Sequence, residues 1–196
     1  PKYPEQLLDF RRDANLTVDI SGGAGAWNQS TAKPVEDIED WFGLLEAPAT
    51  HVIFGPGTFR AAMGDEEFKE LASTRRGSET TFEMAPAETD AFYRGRFGET
   101  GPELWEYKGW YKDAQGTKQY FIPYGHVVIV SAAGARGVRA YGAILDANAQ
   151  YQEAEMWPKN FTTDDPGIEY IMTQSGPLPI LRRIDGTMCA QVLPTP

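Results

Sequence analysis

Cysteine, histidine and long apolar runs are all scarce in this chain of 196 residues. It has one cysteine, Cys189, and two histidines, His51 and His126. A lone cysteine excludes an internal disulfide, and a zinc site needs three or four ligands that this set does not supply. The apolar runs, such as residues 126–133, are far shorter than the ~18 to 20 residues that span a bilayer. We therefore expect no disulfide, no metal, no cofactor and no membrane segment, and we interpret Cys189 as a buried structural thiol rather than a nucleophile.

Basic residues are outnumbered, with 18 Lys and Arg against 28 Asp and Glu and a formal net charge of −10. Affinity for a phosphate backbone depends on Lys and Arg contacts, so this balance argues against a specific nucleic-acid binder. Two explanations of the acidity stay open: repulsion of like-charged DNA inside a container, or plain solubility. The hydrophobic fraction of 41% is that of a globular protein with one core or two small lobes.

Catalytic patterns are missing as well. The run SGGAGAW follows a strand-like segment at residues 16–20 and resembles a dinucleotide fingerprint, but Asn28 stands where the third glycine belongs. A flexible loop is the better interpretation. Several carboxylates between Glu36 and Asp40 lack the spacing of a calcium loop and have no histidine among them, so they indicate a solvated helix face.

Hydrophobic spacing predicts the regular elements of the first half. Ile38, Trp41, Phe42 and Leu45 lie at i, i+3, i+4 and i+7, which predicts a helix capped by Ser30 or Thr31 and stopped by Pro48. A strand follows at residues 51–54, then two short helices separated at Gly64, the second capped by Asp65.

The second half is predicted to be rich in strands. Residues 80–102 lack periodicity and favour an irregular loop. Aromatic strands at 104–111 and 117–122 surround DAQG and predict a hairpin, and the continuous apolar run after it predicts a fully buried strand. Asp185 and Gly186 lie between two further strand-like runs and predict a closing hairpin. Together the elements give an α+β fold.

Long motifs in the C-terminal part carry a family resemblance. The runs RGVRAYGAILDANAQ, PKNFTTDDP and TQSGPLPIL, and more weakly DIEDWFGLLEA, THVIFGP and STRRGS, occur in the order in which a known family has them. The chain resembles the C-terminal part of the lambda-type major capsid protein of tailed bacteriophages, also called the phage major capsid protein E family.

The resemblance implies a Hong Kong 97-like phage capsid fold, truncated to the axial lobe and part of the peripheral lobe. It implies a peripheral remnant at residues 1–25, an axial lobe at 26–135, and peripheral strands with the closing hairpin at 136–196. Full-length members carry an N-terminal arm, an extended loop and a spine helix, so we expect this chain to be a fragment.

The implied function is structural: self-assembly of an icosahedral phage or prophage head around double-stranded DNA, with no enzyme activity. The partners would be further copies of the chain, a decoration protein and a scaffold, in the virion and, before assembly, in the host bacterial cytoplasm. Charged loops suit subunit contacts, and the candidates are Arg75, Arg76, Arg136, Arg139 and Asp146. The adjacent arginines 75 and 76 fit a phosphate contact as well as a carboxylate of a neighbouring subunit. The alternative from another class is a small-molecule or glycan binding module, or an uncharacterised hydrolase, that uses the aromatic hairpin 104–122.

Overall fold

The computed structural model describes residues 11–73, 90–98, 100–113, 115–133, 135–164 and 167–195. Three helices are present in these ranges: α1 (Pro34–Phe42), α2 (Thr58–Ala62) and α3 (Glu66–Ser73). The strands are β1 (Thr17–Asp19), β2 (His51–Phe54), β3 (Ala91–Arg96), β4 (Glu103–Tyr107), β5 (Trp110–Lys112), β6 (Lys118–Tyr120), β7 (His126–Val130), β8 (Gly137–Tyr141), β9 (Trp157–Asp164), β10 (Gly167–Gln174), β11 (Pro177–Leu181) and β12 (Thr187–Gln191). None of the described helices is long and apolar enough to cross a membrane.

Contacts divide the chain into two units. The first consists of Pro1–Ala135 and Arg183–Pro196, and the second of Arg136–Arg182. The first unit holds the three helices and a six-stranded sheet, and the second holds two separate pairs of strands.

The six-stranded sheet has the order β1-β12-β7-β2-β4-β3. Its pairings are mixed: β1 with β12 and β2 with β4 are parallel, and the others are antiparallel. Strands from both ends of the chain therefore lie side by side. β1, from the predicted peripheral remnant at 1–25, and β12, from the predicted peripheral part at 136–196, both lie in the first unit. The lobe boundaries themselves stay a prediction.

The core of the first unit lies between the helices and one face of this sheet. Val52 and Phe54 of β2 and Leu104 of β4 alternate with half-exposed neighbours and are fully buried. Phe54 contacts the ring of Phe59 on α2 and the ring of Phe68 on α3. Because the helices cover one face only, β7 alternates between buried and half-exposed residues, and the expectation of a fully buried strand there is wrong.

Helix α1 confirms the apolar stripe predicted from its spacing, with Ile38 and Trp41 buried. Its ends differ from the prediction. No side chain caps the start at Lys33, because the Thr31 hydroxyl donates to the carbonyl of Ala24 instead. The helix ends at Phe42, before Pro48, since the backbone enters turns from Gly43 onward.

A buried tryptophan joins this helix to the loop before it. The ring of Trp27 stacks on that of Trp41, with centroids 6.0 Å apart. Its Nε1 donates to Oδ2 of Asp37 at 2.8 Å. The glycine-rich run was predicted to be a flexible loop, yet it ends in one of the most buried aromatic residues of the core.

A cluster of ion pairs stabilises the packing of the edge strand β3 on the sheet. The guanidinium of Arg94 bonds the buried carboxylate of Glu106 and stacks over the rings of Phe59 and Phe92. Lys108 adds a second cation 2.8 Å from Glu106. Although burial opposes ionisation, these two cations hold the pKa of Glu106 below its ordinary value. The prediction of a loop at residues 91–96 is wrong, because they form strand β3. The ion pairs that hold this strand join residues on different strands, so the local sequence pattern did not indicate them.

The described strands of the second unit form antiparallel pairs. β8 pairs with β11 from Gly137 opposite Leu181 to Tyr141 opposite Pro177, and β9 pairs with β10 along eight residues.

The predicted closing hairpin at Asp185 and Gly186 is not formed. β11 pairs with β8 in the second unit, whereas β12 pairs with β7 and β1 in the first, and residues 184–186 form a 3-10 turn between them. β12 has three buried residues in the six-stranded sheet, whereas every residue of β11 is exposed. The two strands therefore belong to different environments, which a local turn signal does not indicate.

Candidate functional site

The arginine candidates fall into two groups. Arg75 and Arg76 lie outside the described residues. Arg136 and Arg139 are exposed in the second unit, Arg136 just before β8 and Arg139 within it. The carbonyl of Arg136 accepts from the backbone of Arg182, which closes the β8–β11 ladder at that end.

Asp146 already has a cation within its own unit. Its Oδ2 lies 2.7 Å from Nζ of Lys159, and its other oxygen caps the short turn after it by accepting from the backbone of Asn148. The bond with Lys159, followed by the bond from Asn148, lowers the pKa of Asp146. The expected cross-subunit role of this carboxylate thus competes with an ion pair inside the chain.

Arg139 borders an open cleft of about 790 Å³ in the second unit. On its wall the Tyr141 hydroxyl donates to Oε1 of Glu155 at 2.9 Å, and the Ser175 hydroxyl donates to the Glu155 carbonyl at 2.6 Å. The contact with Tyr141 raises the pKa of Arg139, with a smaller contribution from Glu155. The cleft therefore has a permanent positive charge and neighbours that hold it in place.

Apolar side chains are widely exposed in the second unit. Ile171 on β10 is the extreme case, with 81% of its surface accessible. Others with more than a third of their surface exposed are Val138, Leu145, Tyr151, Met156, Phe161, Ile168, Tyr170, Met172, Leu178, Ile180 and Leu181. Exposed apolar surface of this kind suits a contact with another chain, and isolated strand pairs are only marginally stable in water.

His51 and Cys189 are both half-buried, whereas Cys189 was expected to be buried. His51 Nδ1 lies 2.8 Å from the Thr50 hydroxyl, and its Nε2 lies 3.7 Å from Glu103. Burial raises the pKa of the Cys189 thiol despite the opposing influence of Arg12, so the reactive thiolate is disfavoured. Among the described residues no three metal-ligating side chains cluster.

The aromatic hairpin is shorter and more exposed than predicted. Only β5 and β6 form it, with Trp110 opposite Tyr120, whereas residues 103–107 belong to the six-stranded sheet. Neither face of β5 packs on the core, because strands of three residues extend away from it. An apolar cavity of about 310 Å³ lies beside Trp105, lined also by His51, Ile53, Ala91, Tyr107 and Ile122. None of these residues is a carboxylate, so the converging acids that a glycan hydrolase needs are not at this cavity.

Comparison with known proteins gives consistent matches. The model of the family described as phage major capsid protein E matches residues 5–192. The major capsid protein of Escherichia phage lambda is 31% identical over 194 residues, covering 94% of this chain and 55% of that protein. The P21 prophage-derived major head protein of Escherichia coli O6:H1 is 30% identical, covering 94% and 56%. The chain thus spans about half the length of the curated relatives it matches.

Comparison with solved structures supports the same family. A prophage capsid protein from Escherichia coli CFT073 superposes with a TM-score of 0.76 at 25% identity, covering 94% of this chain and 55% of the other. A phage-related protein of Bordetella bronchiseptica shares the fold alone, with a TM-score of 0.52 at 11% identity over 92% of this chain and 57% of the other. The family match over nearly the whole sequence, together with the shared fold, shows that this chain belongs to the phage major capsid protein E family.

Proposed function

We propose that the chain is part of a structural protein of a phage or prophage head, which assembles with further copies of itself into an icosahedral shell around double-stranded DNA. The observation that carries the proposal is the family match over residues 5–192. Its relatives are named major capsid or major head proteins. The protein would act in the virion, and in the host bacterial cytoplasm before assembly.

The fold proposed is of the Hong Kong 97-like type, truncated relative to its relatives. On this proposal the unit with the six-stranded sheet corresponds to the axial lobe, and the unit of paired strands to what is present of the peripheral lobe. The superposition on a prophage capsid protein supports the capsid character of the fold. Because β1 and β12 pair in the first unit, both are assigned to the axial lobe.

A shell is built by surfaces rather than by a pocket, and the described surfaces suit this role. The second unit exposes many apolar side chains, among them Ile171, and two arginines, Arg136 and Arg139. We propose Arg136 and Arg139 as subunit contacts, with Arg75 and Arg76 from outside the described residues. Asp146 would take part through its pair with Lys159. A decoration protein and a scaffold are further proposed partners.

The net charge of −10 fits a container for DNA. Acidic walls repel a packaged genome and leave it free to be ejected, and no specific nucleic-acid contact is required. No enzyme activity and no cofactor are part of the proposal. The competing glycan-binding role of residues 104–122 has one supporting observation, the exposed rings of Trp110 and Tyr111.

Purified particles from the organism that carries the gene test the proposal. Peptides of this chain should be the most abundant in DNA-filled heads, and portal and head-protease genes should neighbour its gene. Heads that lack the peptides, in a strain that expresses the chain, would refute the capsid role. Stoichiometric binding of an oligosaccharide, lost on Trp110→Ala, would favour the alternative.

The chain by itself should not form shells. Stable interfaces bury ~1,200 to 2,000 Å² in total, whereas the proposed contacts Arg136 and Arg139 are exposed charges, and exposed ion pairs are individually weak. We expect a monomer or a weak small oligomer at micromolar concentration, with association that weakens as salt rises. A salt-insensitive hexamer in sedimentation velocity would contradict this.

A further inference from the structure

We propose that the basic aromatic hairpin of one copy, residues 108–113 and 115–121, docks on an acidic helical face of a second copy, formed by Glu36, Glu39, Asp40 and Glu67. This contact rests on the proposed function and names two surfaces that would join neighbouring subunits.

The hairpin presents aromatic rings to solvent. Trp110 is 46% exposed, Tyr111 44% and Phe121 61%. The hairpin is anchored at its base: the ring of Phe121 lies 6.4 Å from that of Tyr107 at the end of β4, and the backbone of Lys108 donates to the carbonyl of Asp90. Large exposed aromatics on a short projecting element are typical of the centre of an interface.

The same hairpin carries positive charge in a protein whose net charge is −10. It has three lysines and one aspartate. The carboxylate of that aspartate, Asp113, accepts from the backbone of Gln115 and Thr117 in its own turn. Lys108 is paired with Glu106, which leaves Lys112 and Lys118 on the tip.

The two tip lysines lie directly opposite each other across the hairpin. Nζ of Lys118 sits 4.9 Å from the ring centre of Trp110 and 4.8 Å from that of Tyr120, so its charge is held over the aromatic surface. Like charges facing each other across strands are unfavourable within one molecule. Neither lysine forms an ion pair with any described residue, so an external anion would relieve this repulsion.

The acidic face supplies such anions. Glu36, Glu39 and Asp40 are exposed at i, i+3 and i+4 on α1, and therefore lie along one side of the helix. Helix α3 contacts α1 and carries Glu67, which is exposed, in its first turn. The bond with Glu36 raises the pKa of Lys33 at the start of α1, and the charge of Glu67 adds a smaller contribution. Glu39, Asp40 and Glu67 form no ion pair with the described part of the chain.

The two surfaces are on opposite sides of the sheet. The helices pack on the face that contains Phe54 and Leu104. The hairpin is anchored through Phe121 to Tyr107, which alternates with the core-facing residues of β4 and so belongs to the other face. A hairpin cannot reach the acidic face of its own molecule from there. Pairing between copies is therefore head-to-tail, a type of contact that forms a ring when the rotation between neighbouring copies closes.

The contact should be weak in the isolated chain. Buried aromatic side chains each remove about 150–250 Å² from solvent. Three of them give less than the roughly 800 Å² per partner of a standard stable interface. Association through this contact should therefore be weak at micromolar concentration and grow toward millimolar concentration, and it should fall as salt screens the charges.

Charge reversal in two separate variants is the test. One variant carries Lys112→Glu with Lys118→Glu, and the other carries Glu39→Lys with Asp40→Lys. Either variant alone has like charges on both surfaces, so its self-association, measured by sedimentation velocity at low salt, should fall by at least about tenfold. An equimolar mixture places the acidic hairpin against the basic helix and the basic hairpin against the acidic helix, so it should associate at least as strongly as the unmodified chain.

Controls keep the outcomes separate. Arg182→Glu with Arg183→Glu changes the net charge as the hairpin variant does but lies outside both surfaces, and it should associate like the unmodified chain. A mixture that stays monomeric, or an unmodified chain without salt-sensitive association near millimolar concentration, overturns the proposal. Loss of single-stranded oligonucleotide binding by the hairpin variant, with self-association unchanged, would instead assign the hairpin to nucleic acid. The composition of purified heads is independent of all these results, so the capsid role can stand or fall separately.

Discussion

Removal of the Trp41 side chain should destabilise the first unit severely. Trp41 is 6% exposed and its indole stacks on Trp27, so truncation to alanine removes a large buried surface and one side of that stack. Phe or Trp to Ala changes in cores typically cost about 3 to 5 kcal/mol. That is a large part of the ~5 to 15 kcal/mol by which domains are stable. At roughly 2 to 4 °C per kcal/mol for a chain of this size, Tm should fall by about 6 to 20 °C.

The matched control is Glu39→Ala on the same helix. Glu39 is exposed and forms no ion pair with the described residues, so its removal should change the free energy of unfolding by no more than about 0.5 kcal/mol. Thermal unfolding followed by near-ultraviolet circular dichroism compares the two variants. Equal, small shifts in Tm would show that the helix does not pack on the sheet through Trp41, and the description of the core would then be wrong.

Three further outcomes are expected. Glu106→Ala leaves the buried guanidinium of Arg94 without its carboxylate and should cost about 3 to 5 kcal/mol in urea unfolding, whereas Glu46→Ala in an exposed pair should cost under about 1 kcal/mol. The pKa of Glu106 is lower in the folded state than its ordinary value of 4.5. The ionised carboxylate therefore stabilises the fold above pH 4.5, and this contribution is lost as pH falls through the folded-state pKa. A difference in unfolding free energy between wild type and Glu106→Ala that does not change with pH would contradict this. Burial raises the pKa of Asp37, although the hydrogen bond from Trp27 opposes this. The ionised carboxylate is therefore unfavourable in the folded state, so Asp37→Asn should raise the free energy of unfolding at neutral pH. This gain should shrink as pH falls toward 3.8. Elemental analysis of purified protein should find no stoichiometric zinc, and one zinc per chain would disprove the expectation of no metal site.

Local pattern was a good guide where an element packs through its own periodicity. The stripe containing Ile38 and Trp41 on α1 and the capping of α3 by Asp65, whose Oδ2 accepts from the backbone of Phe68 at 3.0 Å, were both predictable. The burial of Trp27 was not, because a glycine-rich run has no period that would indicate which residue turns inward. The candidate contact residues also differ in how far local sequence indicated their surroundings. Arg139 is exposed, but it lies within strand β8 and not in the charged loop that was expected there. The pairing of Asp146 with Lys159 joins residues on different elements, which a local pattern does not indicate.

The sequence by itself determined the family, the α+β composition, and the positions of the helices, because long ordered motifs and a 3.6-residue period are local properties of the chain. The tertiary structure decided which strands pair. Backbone hydrogen bonding is the same for every strand, so partner choice depends on which apolar faces meet in the folded chain. That is why the run after Asp185 lies between β1 and β7 rather than in a hairpin. The tertiary structure also decided that the aromatic hairpin and the acidic helices lie on opposite sides of one sheet. No local sequence pattern indicates this, because the two surfaces are far apart along the chain.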